Sequence, residues 1–312
     1  MYESIPDDNF ILARKADALL LRARLIQNIR LFFIRNNFLE VETPVRIPAP
    51  APEEHIEALP SGNWFLQTSP ELCMKRLLAA GFLRIFQFCK CFRAEERGNL
   101  HLPEFTMLEW YVAGFDYQQL MSQCEEMILD AAARLGFAAG LTCNNRQINL
   151  TPPWERITVR EAFETYAPVT LEEALRQERF DEILVEYIEP ALGAHKPSFL
   201  YDYPAPLGAL ARLKQSDPSV AERFELYIGG LELANGFSEL TSAVEQRQRF
   251  LTAQQLRAQK NYAAYPMPEK FLSALESLPG SAGIAVGIDR LVMVFADTAN
   301  IDDVVFFPPE TL

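Results

Sequence analysis

The sequence predicts an α+β fold in which a mostly antiparallel β-sheet is flanked by helices. Helix-like and strand-like segments are mixed along the 312 residues without the regular βαβ rhythm of a parallel sheet. Gly229-Gly230 separates two strand-like runs and predicts a tight hairpin, whose strands pair antiparallel. The chain can bury a substantial core, because 49% of its 312 residues are hydrophobic. It contains no internal repeat.

Hydrophobic periodicity and turn residues predict the individual elements. Ser69-Pro70-Glu71 favours a helix start, because serine caps, proline suits the first turn and glutamate suits the positive end of the dipole. Pro44 ends the strand-like run FLEVETPV. The predicted helices cover Ala13–Asn37, Ser69–Ala80, Gln118–Leu135, most of Thr158–Ala194, Ala243–Lys260 and Ile288–Ala296. The predicted strands cover Phe38–Val45, Arg84–Glu95, Glu104–Ala113, Phe224–Ile228, Leu231–Glu239 and Gly283–Gly287.

Charge and composition exclude several classes of protein. A formal net charge of -13 disfavours a protein that wraps a long nucleic acid. The five cysteines form no CxxC pair and only three histidines are present, so we expect reduced structural thiols and no zinc site. No run approaches the roughly 18 apolar residues of a membrane span, and Met1–Phe10 lacks the apolar core of a signal peptide. We therefore expect a cytoplasmic protein without a membrane partner.

The stretch FRAEERGNLHLPEFTMLEW concentrates the candidate functional residues. Neither GxxxxGK[ST] nor GxGxxG occurs in the chain, so arginines would have to bind any nucleotide. Side chains alternate along a strand, so Arg93 and Glu95 share one face, and Phe105, Glu109 and Tyr111 share one face of the next strand. From composition alone, an exposed antiparallel pair with salt bridges remains an alternative.

The order of these residues resembles motif 2 of the class II aminoacyl-tRNA synthetases. The resemblance implies that Arg93 binds the α-phosphate of ATP and that Glu95 accepts from the adenine amino group. It also implies that His101 contacts the γ-phosphate and that Phe105 stacks on adenine. Arginine suits its role because its planar guanidinium holds a phosphate through two donors and stays charged.

Two further segments resemble the remaining motifs of that family. FFIRNNFLEVETPV is similar to motif 1, which places Pro44 at a homodimer interface. Asn37 stands where members of the family usually have glycine, and asparagine also tolerates a left-handed backbone. GIAVGIDRLVM is similar to motif 3 and implies that Arg290 holds the γ-phosphate from the first turn of a helix. Arg93 and Arg290 are thus the candidate catalytic residues.

Within class II, the chain looks most like the lysyl-tRNA synthetases, through QTSPELCMKRLL, HLPEFTMLEWY and GGLELANGFSELTSAVEQRQRF. That resemblance implies a lysine pocket in which Glu71 faces the inner amino group and Arg93 the carboxylate. A buried ammonium needs opposing charge and hydrogen-bond acceptors. The implied ligands of the distal ammonium are Glu109, Tyr111 and Glu239, and the implied lining residues are Asn235 and Phe237.

Two glutamates match the magnesium ligands of the family. Glu225 and Glu232 fall on one face of the hairpin if Gly229-Gly230 forms a two-residue turn, and Glu232 also belongs to the implied ATP site. Simple alternation then places Asn235 on the opposite face, so we predict a bulge near Ala234–Gly236. An acidic hairpin edge without a metal remains the alternative reading of this pair.

The segment before motif 1 is too short for the anticodon-binding domain of a lysyl-tRNA synthetase, so we expect residues 1–312 to form a single catalytic domain. In this form the chain resembles the elongation factor P–lysine ligases, a family of truncated lysyl-tRNA synthetase paralogues. Ala285 stands where lysyl-tRNA synthetases usually have glycine and is a further pointer to that family. The resemblance implies that ATP and Mg²⁺ activate (R)-β-lysine as an acyl-adenylate, which is transferred to a lysine of elongation factor P. It also implies a homodimer without stable tRNA binding.

Two other functions stay open at this level. The first is an enzyme that activates α-lysine, either charging tRNA or releasing a free lysyl adenylate. The second is a non-catalytic regulatory paralogue or interaction protein that keeps only the fold. Such proteins often lose the arginines that bind ATP, whereas Arg93 and Arg290 are both present here.

Overall fold

The centre of the molecule is a nine-stranded β-sheet. The structure is a computed structural model, and it describes residues 12–138, 140–143 and 145–312. The strands of the described residues are β1 (Leu39–Glu40), β2 (Arg46–Ile47), β3 (Pro60–Ser61), β4 (Trp64–Leu66), β5 (Arg84–Phe92), β6 (Glu104–Ala113), β7 (Gly140–Cys143), β8 (Arg146–Asn149), β9 (Glu155–Thr158), β10 (Ser198–Pro204), β11 (Leu213–Lys214), β12 (Asp217–Ile228), β13 (Leu231–Ser238) and β14 (Ser281–Gly287).

Helices cover both faces of this sheet. The α-helices of the described residues are α1 (Ala16–Arg35), α2 (Glu71–Ala79), α3 (Tyr117–Leu135), α4 (Val159–Tyr166), α5 (Leu171–Arg176), α6 (Phe180–Ile183), α7 (Ala243–Gln259), α8 (Glu269–Leu275) and α9 (Ile288–Ala296). A π-helical segment, Leu184–Ile188, continues α6. Short 3₁₀ turns lie at Ala205–Leu207, Ile301–Val304 and Pro309–Thr311.

The sheet is mostly antiparallel, as predicted. Its order is β1-β5-β6-β14-β13-β12-β10-β9, and β11 pairs with β12. Only the two outer pairs, β1 with β5 and β9 with β10, are parallel among the described strands of this sheet. The predicted α+β fold class is therefore confirmed.

Strand alternation separates the hydrophobic core from the opposite face. Leu108, Trp110 and Val112 of β6 are fully buried and pack against α1, α3 and α9. Each large apolar side chain buried in this way contributes about 1.5–3 kcal/mol. The intervening residues, among them Glu109 and Tyr111, point to the other face, where a cavity lies.

Most of the predicted elements begin and end within three residues of the observed ones, but β12 begins at Asp217, seven residues before the predicted Phe224. Strands β2–β4 and β7–β11 and helix α8 were not predicted. The predicted strand Phe38–Val45 is wrong in extent, because only Leu39–Glu40 pairs with β5 and the proline at position 44 has no N–H to continue a ladder. The predicted strand Arg84–Glu95 ends at Phe92 instead, and Glu95 adopts φ 64 in the following turn. Asn37 has φ 60, in agreement with the left-handed conformation expected there.

Candidate active site

A cavity of about 790 Å³ opens on the sheet face opposite the main core. Its floor consists of side chains that pair across β6, β14, β13 and β12. One row runs Glu109–Ala285–Asn235–Glu225, and the next runs Tyr111–Gly283–Phe237–Arg223. Residues far apart in the sequence therefore meet because the antiparallel register puts them opposite one another.

A β-bulge aligns these rows. Leu226 pairs with Ala234 but Tyr227 pairs with Glu232, so Leu233 is the extra residue. The bulge places Glu232 on the same face as Asn235. The bulge was predicted near Ala234–Gly236, and it lies one residue before that stretch, through which the pairing is regular.

Gly283 makes room for a neighbouring side chain. A Cβ at this position would lie 2.2 Å from the Tyr111 ring and 2.6 Å from Glu239 Oε1. The Tyr111 ring therefore fills the space that the missing side chain of Gly283 leaves. Ala285 and Gly287 are partly exposed and line the cavity.

At the end of the cavity that we call the amino-acid end, carboxylates surround one lysine. Glu109, Glu239 and Lys75 are all at most 2% exposed. Lys75 Nζ lies 2.5 Å from Glu239 Oε2, also contacts Glu71, and stands 5.0 Å from the centre of the Phe237 ring. Sequence reasoning missed Lys75, although it follows Glu71 by four residues on one helix, the spacing of an ion pair.

Hydrogen bonds hold the side chain of Glu109, the third acid at this end of the cavity. Ser69 accepts a hydrogen bond from the Glu71 N–H and donates one of 2.6 Å to Glu109 Oε1. Tyr111 donates to the other oxygen of Glu109 at 2.7 Å. The start of α2 is thus coupled to the floor of the pocket by one serine hydroxyl.

Burial changes the protonation of these acids. It raises the pKa of Glu109 to about 7, and Glu71 adds to the increase. It raises the pKa of Glu239 to about 8, although Lys75 opposes the increase. In the absence of a ligand the pocket therefore holds more acidic groups than its single lysine neutralises, and a bound cation would favour their ionised forms.

The other end of the cavity, the nucleotide end, carries the two arginines that the motifs predicted. Both Arg93 and Arg290 line the cavity. The Arg93 guanidinium stands 5.1 Å from the centre of the Phe105 ring, and its buried Nε has no hydrogen-bond partner among the described residues. Arg290 donates to the Glu232 carbonyl at 3.0 Å and contacts His101. Burial first, and then Arg290, lower the pKa of His101.

The start of α9 is held by a buried ion pair. Asp289 Oδ1 lies 2.5 Å from Arg22 Nη1, and its other oxygen accepts a hydrogen bond from the Thr106 N–H. These bonds join α1, β6 and α9, and therefore fix the helix turn that presents Arg290.

Two predicted site residues do not line the cavity: Glu239, which is buried against Lys75, and Glu95. Glu95 is exposed and absent from the lining, because β5 ends before it and the chain turns. The neighbouring Glu96 lines the cavity instead, 3.7 Å from Arg93. The contact of Glu95 with adenine remains a prediction.

Glu225 and Glu232 lie on one face of the hairpin, as predicted. Glu225 is buried and accepts hydrogen bonds from Tyr203, Tyr227 and Arg223. Burial and the Glu225 charge raise the pKa of Glu232. Two carboxylates that repel one another beside a phosphate site suit Mg²⁺, which takes one or two protein carboxylates and otherwise water and phosphate oxygens. Arg223, which follows the strand alternation of Glu225, was not predicted.

Two features are absent from the described residues. No group of three or more His, Cys, Asp or Glu residues suited to a metal ion occurs there. Likewise, none of the helices in that part of the chain combines the length and apolar character needed to cross a membrane.

Comparison with known proteins agrees with this geometry. Residues 11–311 match the family model of tRNA synthetases class II (D, K and N). A relative from Pseudoalteromonas translucida is 41% identical over 302 residues, which is 92% of this chain and 93% of the relative. Another, from Vibrio cholerae, is 40% identical over 305 residues, which is 92% of this chain and 94% of the relative. Both are named elongation factor P–(R)-β-lysine ligase. The chain therefore belongs to the class II tRNA synthetase family and, within it, to the elongation factor P–(R)-β-lysine ligases.

Proposed function

We propose that this protein activates (R)-β-lysine with ATP and transfers the β-lysyl group to a lysine side chain of elongation factor P. The observation that carries the proposal is a single cavity with an acid-lined pocket at one end and two arginines at the other. The names of the relatives supply the β-lysine and the acceptor protein.

Charge complementarity favours a diamine substrate. When ionised, Glu71, Glu109 and Glu239 carry three negative charges, and Lys75 carries one positive charge. A ligand with two ammonium groups balances the remaining two charges. A neutral isostere would leave buried carboxylates unpaired, which costs about 1–3 kcal/mol or more for each group.

In the first step, the β-lysine carboxylate attacks the α-phosphorus of ATP and pyrophosphate leaves. Arg93, at the nucleotide end, is assigned to both the carboxylate and the α-phosphate and holds them together. Arg290 and neutral His101 bind the γ-phosphate. Magnesium at Glu225 and Glu232 would neutralise phosphate charge, and catalysis consists mainly of positioning and electrostatic stabilisation.

Ala285 is suited to distinguish the isomers of lysine. It pairs with Glu109 on one side and Asn235 on the other, on the floor of the cavity. A methyl group there occupies the space beside the inner amino group of the substrate. Discrimination by one methyl group is worth about 1–3 kcal/mol.

In the second step, the amine of an acceptor lysine attacks the acyl-adenylate carbonyl, an amide forms and AMP leaves. The acidic surface of the chain disfavours stable binding of tRNA, so a protein is the proposed acceptor. We place the enzyme in the cytoplasm.

We also propose a homodimer through the motif 1 region. Leu20, Leu31, Ile34 and Leu39 are between 41% and 55% exposed on α1 and β1. Apolar side chains clustered on one exposed surface are typical of an interface between subunits.

Mass spectrometry of elongation factor P tests the proposal. The acceptor is incubated with the enzyme, ATP-magnesium and either lysine isomer, and tRNA replaces it in a parallel reaction. We expect the acceptor protein to gain one lysyl mass with the β isomer and tRNA to remain uncharged. Charging of tRNA, or a modified acceptor only with α-lysine, would contradict the proposal.

A further inference from the structure

One carboxylate on the wall of the cavity is unlike the others. Glu53 lines the cavity and is partly exposed, yet within the described part of the chain it makes no side-chain hydrogen bond or close ion pair. The half-buried and buried acids around it are all engaged. The engaged pairs are Glu71 and Glu239 with Lys75, Glu109 with Ser69 and Tyr111, Glu225 with Arg223, and Glu232 with Arg290.

The backbone around Glu53 is held firmly although its side chain is free. Arg257 of α7 is 1% exposed and donates hydrogen bonds to the carbonyl oxygens of Glu53 and Ile56, at 2.8 and 2.7 Å. Pro50 and Pro52 restrict the backbone just before it. A fixed backbone with an unpaired carboxylate is what a positioned proton acceptor requires.

The charges that face Glu53 place it between the two ends of the cavity. They are Glu71 from the amino-acid end, Arg93 and Arg223 from the nucleotide end, and its anchor Arg257. Burial, followed by Glu71, raises the pKa of Glu53 to about 7, although the three arginines oppose the increase. Near neutral pH the group can therefore both accept and release a proton.

We propose that Glu53 is the general base of the transfer step, an inference that rests on the proposed function. The acceptor amine arrives neutral, having released one proton to water. Its nitrogen attacks the acyl-adenylate carbonyl carbon, the C–N bond forms, and the bond from that carbon to the phosphate oxygen breaks with its electron pair leaving on AMP. The proton that the attacking nitrogen loses passes to the Glu53 carboxylate and then to water.

The test separates the two steps. Pyrophosphate exchange with β-lysine measures adenylate formation, and rapid mixing of the preformed enzyme-bound adenylate with elongation factor P measures transfer. We expect Glu53→Gln to lower the transfer rate by about 10²- to 10³-fold relative to the exchange rate, within the range for a lost general base. Glu54→Gln is the matched control, because Glu54 pairs with Lys260, and should change both rates less than about twofold.

The pH profile gives a readout that a structural role would not move. Because the acceptor amine must first lose a proton, transfer increases with pH throughout the neutral range. In the unchanged enzyme an additional rise should pass through about pH 7, as Glu53 ionises. Glu53→Gln should lose this rise, whereas Glu53→Asp should be slower but keep it.

Three results would overturn the inference. The first is a transfer rate for Glu53→Gln equal to that of the unchanged enzyme, and the second is an unaltered pH profile in that variant. The third is an equal loss of exchange and transfer, which would assign Glu53 to adenylation or to folding. A failure of the proposed function is distinguishable, because the unchanged enzyme would then show no exchange with β-lysine or no transfer to the acceptor.

Discussion

The two ends of the cavity neutralise buried charge in different ways. At the amino-acid end, Glu71, Glu109 and Glu239 share one lysine, so acid is in excess. At the nucleotide end, Arg93 lies on an aromatic ring and keeps a buried donor unpaired, so hydrogen-bonding capacity for an anion is in excess. Each end thus lacks the charge that its proposed ligand brings. The charge of a ligand can therefore be inferred from the charge and the hydrogen-bonding groups that its site leaves without a partner.

The two ends of the cavity also differ in the secondary structure that carries their residues. At the amino-acid end, Glu109 belongs to β6 in the middle of the sheet, Glu239 directly follows β13, and Glu71 begins α2. Arg93 follows the end of β5, and His101 lies in the loop before β6. The pocket that must distinguish similar amino acids is therefore built on regular structure, whereas the phosphate contacts lie on a turn and a helix start.

The largest expected effect follows from removing one charged group at either end. Arg93→Ala removes a guanidinium from the phosphate site, and Glu239→Ala removes a buried carboxylate and leaves Lys75 partly uncompensated. We expect either change to lower β-lysine-dependent pyrophosphate exchange by about 10³-fold or more, in the range for lost transition-state donors. Arg134→Ala and Glu104→Ala, which remove exposed partners, are the controls.

The two variants should differ in binding. Glu239→Ala should still bind ATP-magnesium in calorimetry, whereas Arg93→Ala should bind both substrates weakly, because Arg93 is assigned to both. Near-normal exchange in both variants would be incompatible with the site assignment.

The next effect concerns the internal lysine. Lys75→Met keeps the volume of the side chain but leaves Glu71 and Glu239 buried without their shared cation. We expect the free energy of unfolding to fall by about 3–5 kcal/mol, the usual cost of breaking a buried pair from one side. Urea unfolding measures the change, and Lys90→Met, at an exposed pair, is the control and should cost less than about 1 kcal/mol.

Added diamine substrate sharpens this experiment. A ligand with two ammonium groups would supply part of the lost charge and should therefore restore more stability to Lys75→Met than it adds to the unchanged protein. An equal gain in both proteins would show that Lys75 does not set the charge of the pocket.

The sequence predicted which charged residues belong to each end of the cavity far better than it predicted how their charges compensate one another. Arg93, His101, Arg290, Glu109 and Glu239 were predicted because the motifs that contain them resemble those of the class II and lysyl-tRNA synthetases. The contact of Lys75 with Glu71 could have been inferred from the helical spacing, but Glu239 is 164 residues away and meets Lys75 only in the folded chain. Glu53 lies in a proline-rich loop without periodicity, so no local pattern indicates that it faces the cavity. The bulge at Leu233 was expected from a conflict between faces, but the sequence does not tell which residue is extruded.

A smaller effect is expected at Ala285, where the shape of the pocket, and not its charge, distinguishes the isomers of lysine. Ala285→Gly removes one methyl group from the floor of the amino-acid end. The preference for β-lysine over α-lysine, measured as the ratio of kcat/KM in pyrophosphate exchange, should fall by about tenfold, because one methyl group is worth about 1–3 kcal/mol. KM for ATP should not change. Ala282→Gly, on the core face of the same strand, controls for general loosening of β14 and should leave the isomer ratio unaltered.

The smallest effect is a difference in pH dependence between the two ends. Burial raises the pKa of Glu109 to about 7 and that of Glu239 to about 8, so both acids become neutral as the pH falls through these values. The attraction for a diammonium ligand then weakens, and its Kd in calorimetry should increase by up to about tenfold per pH unit for each proton taken up. The Kd of ATP measured without magnesium should change less, because the lowered pKa of His101 keeps that side chain neutral.

The stability of the free protein should respond to pH in the opposite sense. A carboxyl group with a raised pKa favours the folded state below its ordinary pKa, and this contribution is lost as the pH rises through about 7 to 8. A Kd for the diamine that stays constant from about pH 6 to pH 8.5 would show that these acids do not carry the binding charge.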